Sequence, residues 1–266
     1  MSGLEAAARR SGGVLKRKPG SEVIKSKSMN KYVLADMVTE RLKRETGMVA
    51  KPLPQEIKHL ETAPPAERVC FDFALYQADK LKKISINKRS HGESSAGTLV
   101  MIIGADEYDL PFTLADVTFG FAGKDKMFTA FQFRPLVQDE ESTRKYVEPF
   151  RKWYQAISKL PSESVTRYGQ SGELLKPTPS AVKYVRGIHH DYTDQVLNFA
   201  QQFFDIFLEI YRKAEPVKDI DRRRKMDAFR AEWNKHILED DPSSQTLIKN
   251  FGRRTAELVY EYLVYL

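Results

Sequence analysis

The sequence lacks most of the features that hold metals, cofactors or membranes. Cys70 is the only cysteine among 266 residues, which excludes an internal disulfide, a cysteine-ligated iron–sulfur cluster and a cysteine-based zinc site. No run approaches the roughly 18 apolar residues that a membrane span needs, and no segment has the pattern of a secretory signal. The motifs Gly-x-Gly-x-x-Gly and Gly-x-x-x-x-Gly-Lys are also missing, so the usual evidence for a nucleotide site is absent. We expect a soluble intracellular protein that takes any redox electrons from a partner.

What the chain does contain is typical of a globular protein. Hydrophobic residues make up 41% of the chain, with 15 Phe and 12 Tyr, so a core can form. The 43 Lys and Arg against 36 Asp and Glu give a net charge of +7, which would steer an acidic partner toward the protein. We predict one domain over residues 31–266. Residues 1–30 are rich in basic residues, and we interpret them as a flexible basic arm, either a solvated tail or the remnant of an organellar targeting segment.

The hydrophobic pattern predicts strands in the middle of the chain and helices at both ends. Helices are predicted at 31–45, 141–159, 193–212, 221–238 and 253–265, and strands at 69–76, 81–87, 99–103, 112–119 and 127–136. A polar turn is expected at 89–97, and Pro242 is expected to break the chain after the fourth helix. The links between the last three strands are too short for a crossover helix, so these strands must be antiparallel. The predicted fold is a three-layer α/β/α sandwich with a central antiparallel sheet.

Asp116 is the first candidate for chemistry. Alternation along the strand 112–119 places Phe112, Leu114, Asp116 and Thr118 on one face. Burial beside apolar side chains would raise the pKa of this carboxyl, which suits a proton donor near neutral pH. The residues fit a structural role equally well, in which a neighbouring Arg or backbone donors satisfy the carboxylate.

Three other clusters are weaker candidates. Glu239-Asp240-Asp241-Pro242 lies at a helix end, where acids oppose the helix dipole. His189-His190-Asp191 is similar to part of a metal site, but adjacent side chains on one element diverge, so we predict no metal. The basic residues 222–225 suit a solvated face or the docking of an acidic partner.

Four short strings, in this order along the chain, resemble the ferredoxin-dependent bilin reductase family. They are Tyr108-Asp109-Leu110-Pro111-Phe112 leading to Ala115-Asp116-Val117, then Phe131-Gln132-Phe133-Arg134-Pro135-Leu136, then Pro179-Ser180-Ala181 with Tyr184-Val185-Arg186, and finally Asp240-Asp241-Pro242 with Leu247 and Phe251-Gly252. They are similar to the family's Leu-Pro pair before its aspartate strand, its strand ending in Gln-Pro, its Ser-Pro-x-Ala stretch and its C-terminal Asp-Pro, Leu and Phe-Gly spacing. The resemblance covers roughly residues 70–266.

This resemblance implies a linear tetrapyrrole held between the sheet and the C-terminal helices. Single electrons come from reduced ferredoxin, a [2Fe–2S] protein, the protein supplies the protons, and no cofactor is bound. It further implies that Asp116 is the central proton donor, that Asp240 is a second acid across the bilin, and that Arg186 pairs with a propionate.

The sequence also departs from the family pattern. Members that make phycocyanobilin resemble one another in a His on the strand before the aspartate, and the aligned residue here is Leu99. An acid of the family is Gln132 here, and the Gln before Pro is Arg134. Leu99, Arg134 and Phe112 are the further residues expected to contact substrate. The pattern is more similar to members that make phycoerythrobilin or phytochromobilin.

The sequence therefore predicts a ferredoxin-dependent oxidoreductase of biliverdin or 15,16-dihydrobiliverdin. We expect ferredoxin and a bilin as partners rather than nucleic acid, a monomer, and a location in the plastid, or in the cytoplasm if the source is a cyanobacterium or phage. The alternatives are a non-catalytic bilin-binding protein, or a basic protein that binds nucleic acid or an acidic partner through residues 1–30 and 222–225.

Overall fold

An antiparallel sheet of nine strands organises the part of the chain that the structure describes. The computed structural model describes residues 30–62, 68–165 and 181–266, so the predicted basic arm lies outside the described residues except for its last position. The strands are β1 (Val49–Lys51), β2 (His59–Glu61), β3 (Val69–Ala78), β4 (Leu81–His91), β5 (Ser95–Gly104), β6 (Phe112–Phe119), β7 (Lys126–Arg134), β8 (Ser162–Glu163) and β9 (Val182–His189). Their order is β1-β3-β4-β5-β6-β7-β9-β8, with β2 also pairing with β3.

The five predicted strands form a meander in which each strand is antiparallel to the next. The predicted bounds of β6 agree with the structure, whereas the polar turn predicted at 89–97 is wrong. β4 continues to His91 and β5 begins at Ser95, so only residues 92–94 link them. Polar residues usually indicate a solvent-exposed turn, but Arg89 is only 8% exposed and belongs to β4.

Helices cover both faces of the sheet. Their bounds are α1 (Val33–Thr46), α2 (Gln55–Lys58), α3 (Glu140–Ser142), α4 (Arg151–Ile157), α5 (Thr193–Lys213), α6 (Ile220–Asp240), α7 (Pro242–Phe251) and α8 (Arg253–Leu263). One buried cluster joins α1, α4 and α5 to the sheet, and a second joins α6, α7 and α8 to it. The three-layer α/β/α fold is therefore confirmed. Among the described residues, no helix is long and apolar enough to cross a membrane.

The chain departs from the predicted helices at two points. The helix predicted at 141–159 is interrupted, because a π-helical turn (Thr143–Val147) and a 3₁₀ turn (Glu148–Phe150) separate α3 from α4. Pro242 does not simply end α6, because it is the first residue of the next helix, α7. Proline suits that position, where its missing N–H costs no helical hydrogen bond.

Alternation along β6 decides which layer each of its side chains meets. Ala115 and Val117 belong to the core under α1, α4 and α5, so Leu114 and Asp116 face the layer of α6–α8. β5 and β6 approach closely here: a Cβ added to Gly97 would lie 2.3 Å from the Thr118 Cα and 2.3 Å from the Val117 carbonyl oxygen. Position 97 of β5 therefore requires a glycine, because a Cβ there would collide with the backbone of β6.

Candidate functional site

A mostly apolar cavity, here called the central cavity, lies between the sheet and the layer of α7 and α8. One row of register partners runs across its floor, from β3 to β9. This row consists of Phe73, Asn87, Leu99, Asp116, Ala130 and Val185, all of which line the cavity. Asp116 and Asn87 are the polar members of the row, so the sheet presents two polar side chains on an otherwise apolar floor.

Asp116 is held in a closed triangle with Arg89 and Thr118. The Arg89 guanidinium donates to Asp116 Oδ2 and, over 3.0 Å, to Thr118 Oγ1, and the Thr118 hydroxyl donates to Asp116 Oδ1 over 2.8 Å. Burial raises the pKa of Asp116, and this effect outweighs the opposing influence of Arg89 and Thr118. Asp116 therefore has features of both roles that the sequence suggests: it is paired with an arginine, as a structural carboxylate would be, and it lines a cavity, as a proton donor would.

A second carboxyl closes the cavity from the helical side. Asp241 lies between α6 and α7, where its Oδ1 accepts from the Ser243 N–H over 2.9 Å and so caps α7. Its Oδ2 accepts from the Tyr260 hydroxyl over 2.6 Å. The charge of Asp241 is near enough to contribute to the raised pKa of Asp116. Two carboxyl groups thus face one space, one from the sheet and one from the helices.

A second, more polar space, here called the adjoining cleft, shares part of its wall with the central cavity. The cavity measures about 100 Å³ and the cleft about 420 Å³, and both are lined by Phe71, Arg89 and Ser243. The cleft is bordered by His91 and Lys249. Ligand pockets usually hold about 300–1,000 Å³, so the central cavity alone is smaller than a usual ligand pocket and the cleft falls within that range.

The structure brings together only some of the residues that the sequence predicted for the site. Asp116 and Leu99 are register partners and both line the central cavity. Asp240 is the last residue of α6 and does not line it; its neighbour Asp241 does. The difference arises because Asp241 leaves the helix to cap α7, which turns its side chain toward the sheet.

Arg186 lies on the opposite face of the sheet from the cavity. Lys183 and Val185 of β9 line the cavity, whereas Arg186 lies with its guanidinium carbon 5.9 Å from the Tyr184 ring centroid. Tyr184 belongs to the core under α1, α4 and α5. The string around Pro179 and Ser180 lies outside the described residues. The predicted contact of Arg186 with a propionate has no support in this geometry.

Arg134 and Phe112 lie on the cavity face of the sheet but beyond the cavity wall. They are register partners on β7 and β6, and Phe112 packs against Trp233 with ring centroids 4.9 Å apart. Burial lowers the pKa of Arg134 to about 10. Lys183, which does line the cavity, has its pKa lowered by burial and by the charge of Arg134. Near β7 and β9, the cationic side chain that lines the cavity is therefore Lys183 and not Arg134. Lys183 is not among the residues predicted from the sequence.

Two other clusters differ from their predicted form. The ligand atoms of His189, His190 and Asp191 lie within 4.8 Å of one another, so these adjacent side chains do not diverge, but they do not line the central cavity. In the basic cluster at 222–225, Arg222 bonds Asp109 over 2.6 Å and Glu141 over 3.2 Å. Arg222 therefore anchors α6 to the protein itself.

Comparison with known proteins identifies the family of this chain. The family model described as ferredoxin-dependent bilin reductase matches residues 35–263. A curated relative, the 15,16-dihydrobiliverdin:ferredoxin oxidoreductase of Nostoc punctiforme, is 21% identical over 189 residues, which cover 71% of this chain and 75% of the relative. The crystal structure of phytochromobilin synthase from tomato in complex with biliverdin has a similar fold, with a TM-score of 0.65 and 14% identity over 85% of this chain and 79% of that chain. Because the family match spans most of its length, this chain belongs to the ferredoxin-dependent bilin reductases, enzymes that reduce bilins with electrons from ferredoxin.

Proposed function

We propose that this enzyme reduces biliverdin IXα or 15,16-dihydrobiliverdin to a phytobilin such as phycoerythrobilin. The observation that carries the proposal is a buried carboxyl, Asp116, on the apolar floor of a cavity that Asp241 closes from the other side. A mostly apolar cavity against the face of a sheet suits a conjugated tetrapyrrole. The curated relative that acts on 15,16-dihydrobiliverdin and the tomato protein crystallised with biliverdin support this substrate class.

Each round of the proposed chemistry adds two electrons and two protons to the conjugated carbon–carbon double bonds of the bilin, so 15,16-dihydrobiliverdin needs one round to become phycoerythrobilin and biliverdin needs two. Two ferredoxin molecules, each with a [2Fe–2S] cluster, deliver one electron each. Asp116 supplies one proton from the sheet side, because its raised pKa keeps the carboxyl protonated closer to neutral pH. After donation, Arg89 and Thr118 stabilise the carboxylate that remains. A proton from solvent then restores the acid.

We propose that Asp241 donates the second proton, a role for which the sequence predicts Asp240. Asp241 lines the cavity on the face opposite Asp116, and Tyr260 and the N-terminus of α7 hold its side chain in one orientation. An acid on each side of a planar substrate allows protons to reach either face. A role for Asp240 stays a prediction, which substitution of each aspartate in turn separates.

The net charge of +7 supports an acidic electron donor, because opposite charges speed the encounter of two proteins. Such steering weakens as salt shortens the Debye length to about 8 Å at physiological ionic strength. We propose a location where ferredoxin is present, the plastid or the cytoplasm of a cyanobacterium.

The test is a titration with biliverdin and, separately, with 15,16-dihydrobiliverdin, each followed by addition of reduced ferredoxin and monitored by absorbance under anaerobic conditions. We expect a red-shifted, structured bilin spectrum on binding, then its replacement by the spectrum of a reduced bilin. No spectral change on mixing contradicts both bilin functions. Binding without any change after reduced ferredoxin is added leaves a non-catalytic bilin-binding protein. Where the bilin is reduced, identification of the product by chromatography decides between phycoerythrobilin and other phytobilins.

A further inference from the structure

Asn87 is a buried amide in the floor of the central cavity, and the proton-transfer scheme does not use it. The residue is 2% exposed, it lines the cavity, and its Oδ1 has no hydrogen-bond partner among the residues that the structure describes. Its register partners on the two neighbouring strands are Phe73 and Leu99, whose side chains offer no hydrogen bond. A polar atom left in this state destabilises a fold by about 1–3 kcal/mol, so its presence in a cavity wall points to a ligand.

Chemical complementarity identifies the part of a bilin that would satisfy this amide. A primary amide offers one acceptor and two donor hydrogens. Each terminal ring of a linear tetrapyrrole is a lactam, which carries an N–H and a carbonyl oxygen on one edge. The two groups can form a pair of parallel hydrogen bonds, N–H to Oδ1 and Nδ2–H to the carbonyl oxygen. An inner pyrrole ring lacks the carbonyl and would satisfy only one side of the amide.

Building on the proposed function, we propose that Asn87 is a positioning residue that binds the lactam edge of one terminal bilin ring. Asn87 lies on β4, Leu99 on β5 and Asp116 on β6, all in one row. Neighbouring strands are about 4.8 Å apart, so Asn87 and Asp116 start from backbones about 9.6 Å apart. A terminal ring fixed at Asn87 therefore sets which part of the tetrapyrrole lies over Asp116. Asn87 thus determines which double bond receives the proton.

The test compares Asn87→Leu, which keeps the approximate size of the side chain and removes its polar atoms, with Ser85→Ala. Ser85 is a matched control because it lies on the same strand, is fully buried, and also has an oxygen without a hydrogen-bond partner in the described part of the chain, but it does not line the cavity. Asn87→Asp, close in shape, retains acceptors and loses the donor. Each variant is measured for thermal stability without ligand, for biliverdin affinity by absorbance, and for products after turnover with reduced ferredoxin.

We expect Asn87→Leu to weaken biliverdin binding about 5- to 100-fold and to change the ratio of reduced isomers. Asn87→Asp should shift the ratio in the same direction, while Ser85→Ala retains the wild-type affinity and products. Wild-type affinity and product ratio in both Asn87 variants overturn the proposal. Loss of stability without a change in product ratio overturns it too, because it indicates a purely structural amide. Failure of the wild-type protein to bind either biliverdin or 15,16-dihydrobiliverdin refutes the proposed function itself, and so is distinguishable from a failure of this inference.

Discussion

Substitution of Arg89 by Met tests the arrangement on which the proton chemistry depends. Arg89 is the main partner of the buried Asp116 carboxyl, and their side chains are only 9% and 5% exposed. Removal of one member of a buried ion pair leaves the other charge uncompensated, which typically lowers the free energy of unfolding by about 3–5 kcal/mol. At about 2–4 °C per kcal/mol for a domain of this size, the melting temperature should fall by about 6–20 °C.

The loss should depend on pH in a defined direction. Arg89 is the strongest influence that lowers the pKa of Asp116, so Arg89→Met should raise that pKa further. A carboxyl with a raised folded-state pKa contributes stability below its unfolded pKa and loses that contribution as pH rises through the folded value. The difference between wild type and Arg89→Met should therefore be smaller at an acidic pH than at an alkaline pH.

Urea denaturation at both pH values measures this difference. Arg223→Met is the matched control, because Arg223 is exposed on α6. The double variant Arg89→Met, Asp116→Asn should recover most of the lost stability at the higher pH, since no buried charge remains. A loss below about 1 kcal/mol, or one that is equal at both pH values, would refute the view that Asp116 is a desolvated carboxyl held by Arg89.

Three further predictions follow from other contacts. Gly97→Ala should destabilise the protein by about 1–3 kcal/mol or more, because the new Cβ meets backbone atoms of β6; an unchanged melting temperature would contradict this close approach. Asp241→Asn should slow turnover at least about 100-fold and Asp240→Asn should not, as measured by bilin reduction; the reverse result would return the second proton to Asp240. Burial lowers the pKa of Lys83 to about 8, so the unfolded chain binds more protons above that pH. The stability of wild type relative to Lys83→Met should then rise between about pH 8 and about pH 10.5, and a flat difference in urea denaturation would exclude a desolvated, half-buried Lys83 ammonium.

The sheet was predictable wherever apolar periodicity is strong and links are short. The run Leu99–Ile103 and the alternation of Phe112–Phe119 fix β5 and β6, and short links force them to be antiparallel. β9 escaped prediction although it alternates, because Lys183, Arg186 and Gly187 lower its apparent strand propensity. The sequence analysis does not predict α7, for a different reason. Pro242 indicates the end of a helix in the sequence, whereas Asp241 and Pro242 together begin a new one in the structure.

Within the candidate site, the sequence predicts Asp116 but not the polar side chains that surround it on other elements. Asp116 stands out because one carboxyl interrupts an apolar face. The sequence signal for Arg89 and Asn87 is weaker, because it consists only of two polar residues spaced two apart on β4. Only the register of β4 with β5 and β6 shows that they share a surface with Asp116. That Asp241 and not Asp240 lines the cavity follows from the capping geometry, since the residue just before the proline is the one released from α6.

The most direct test of this account is the turnover of Asp116→Asn with biliverdin and reduced ferredoxin under anaerobic conditions. Asp125→Asn, in the exposed link between β6 and β7, is the matched control. We predict that Asp116→Asn binds biliverdin with the wild-type spectrum, accepts an electron and stalls as a bilin radical, with product formation reduced about 100- to 10,000-fold, while the control turns over normally. Full conversion to the wild-type product by Asp116→Asn would contradict the central role of this carboxyl.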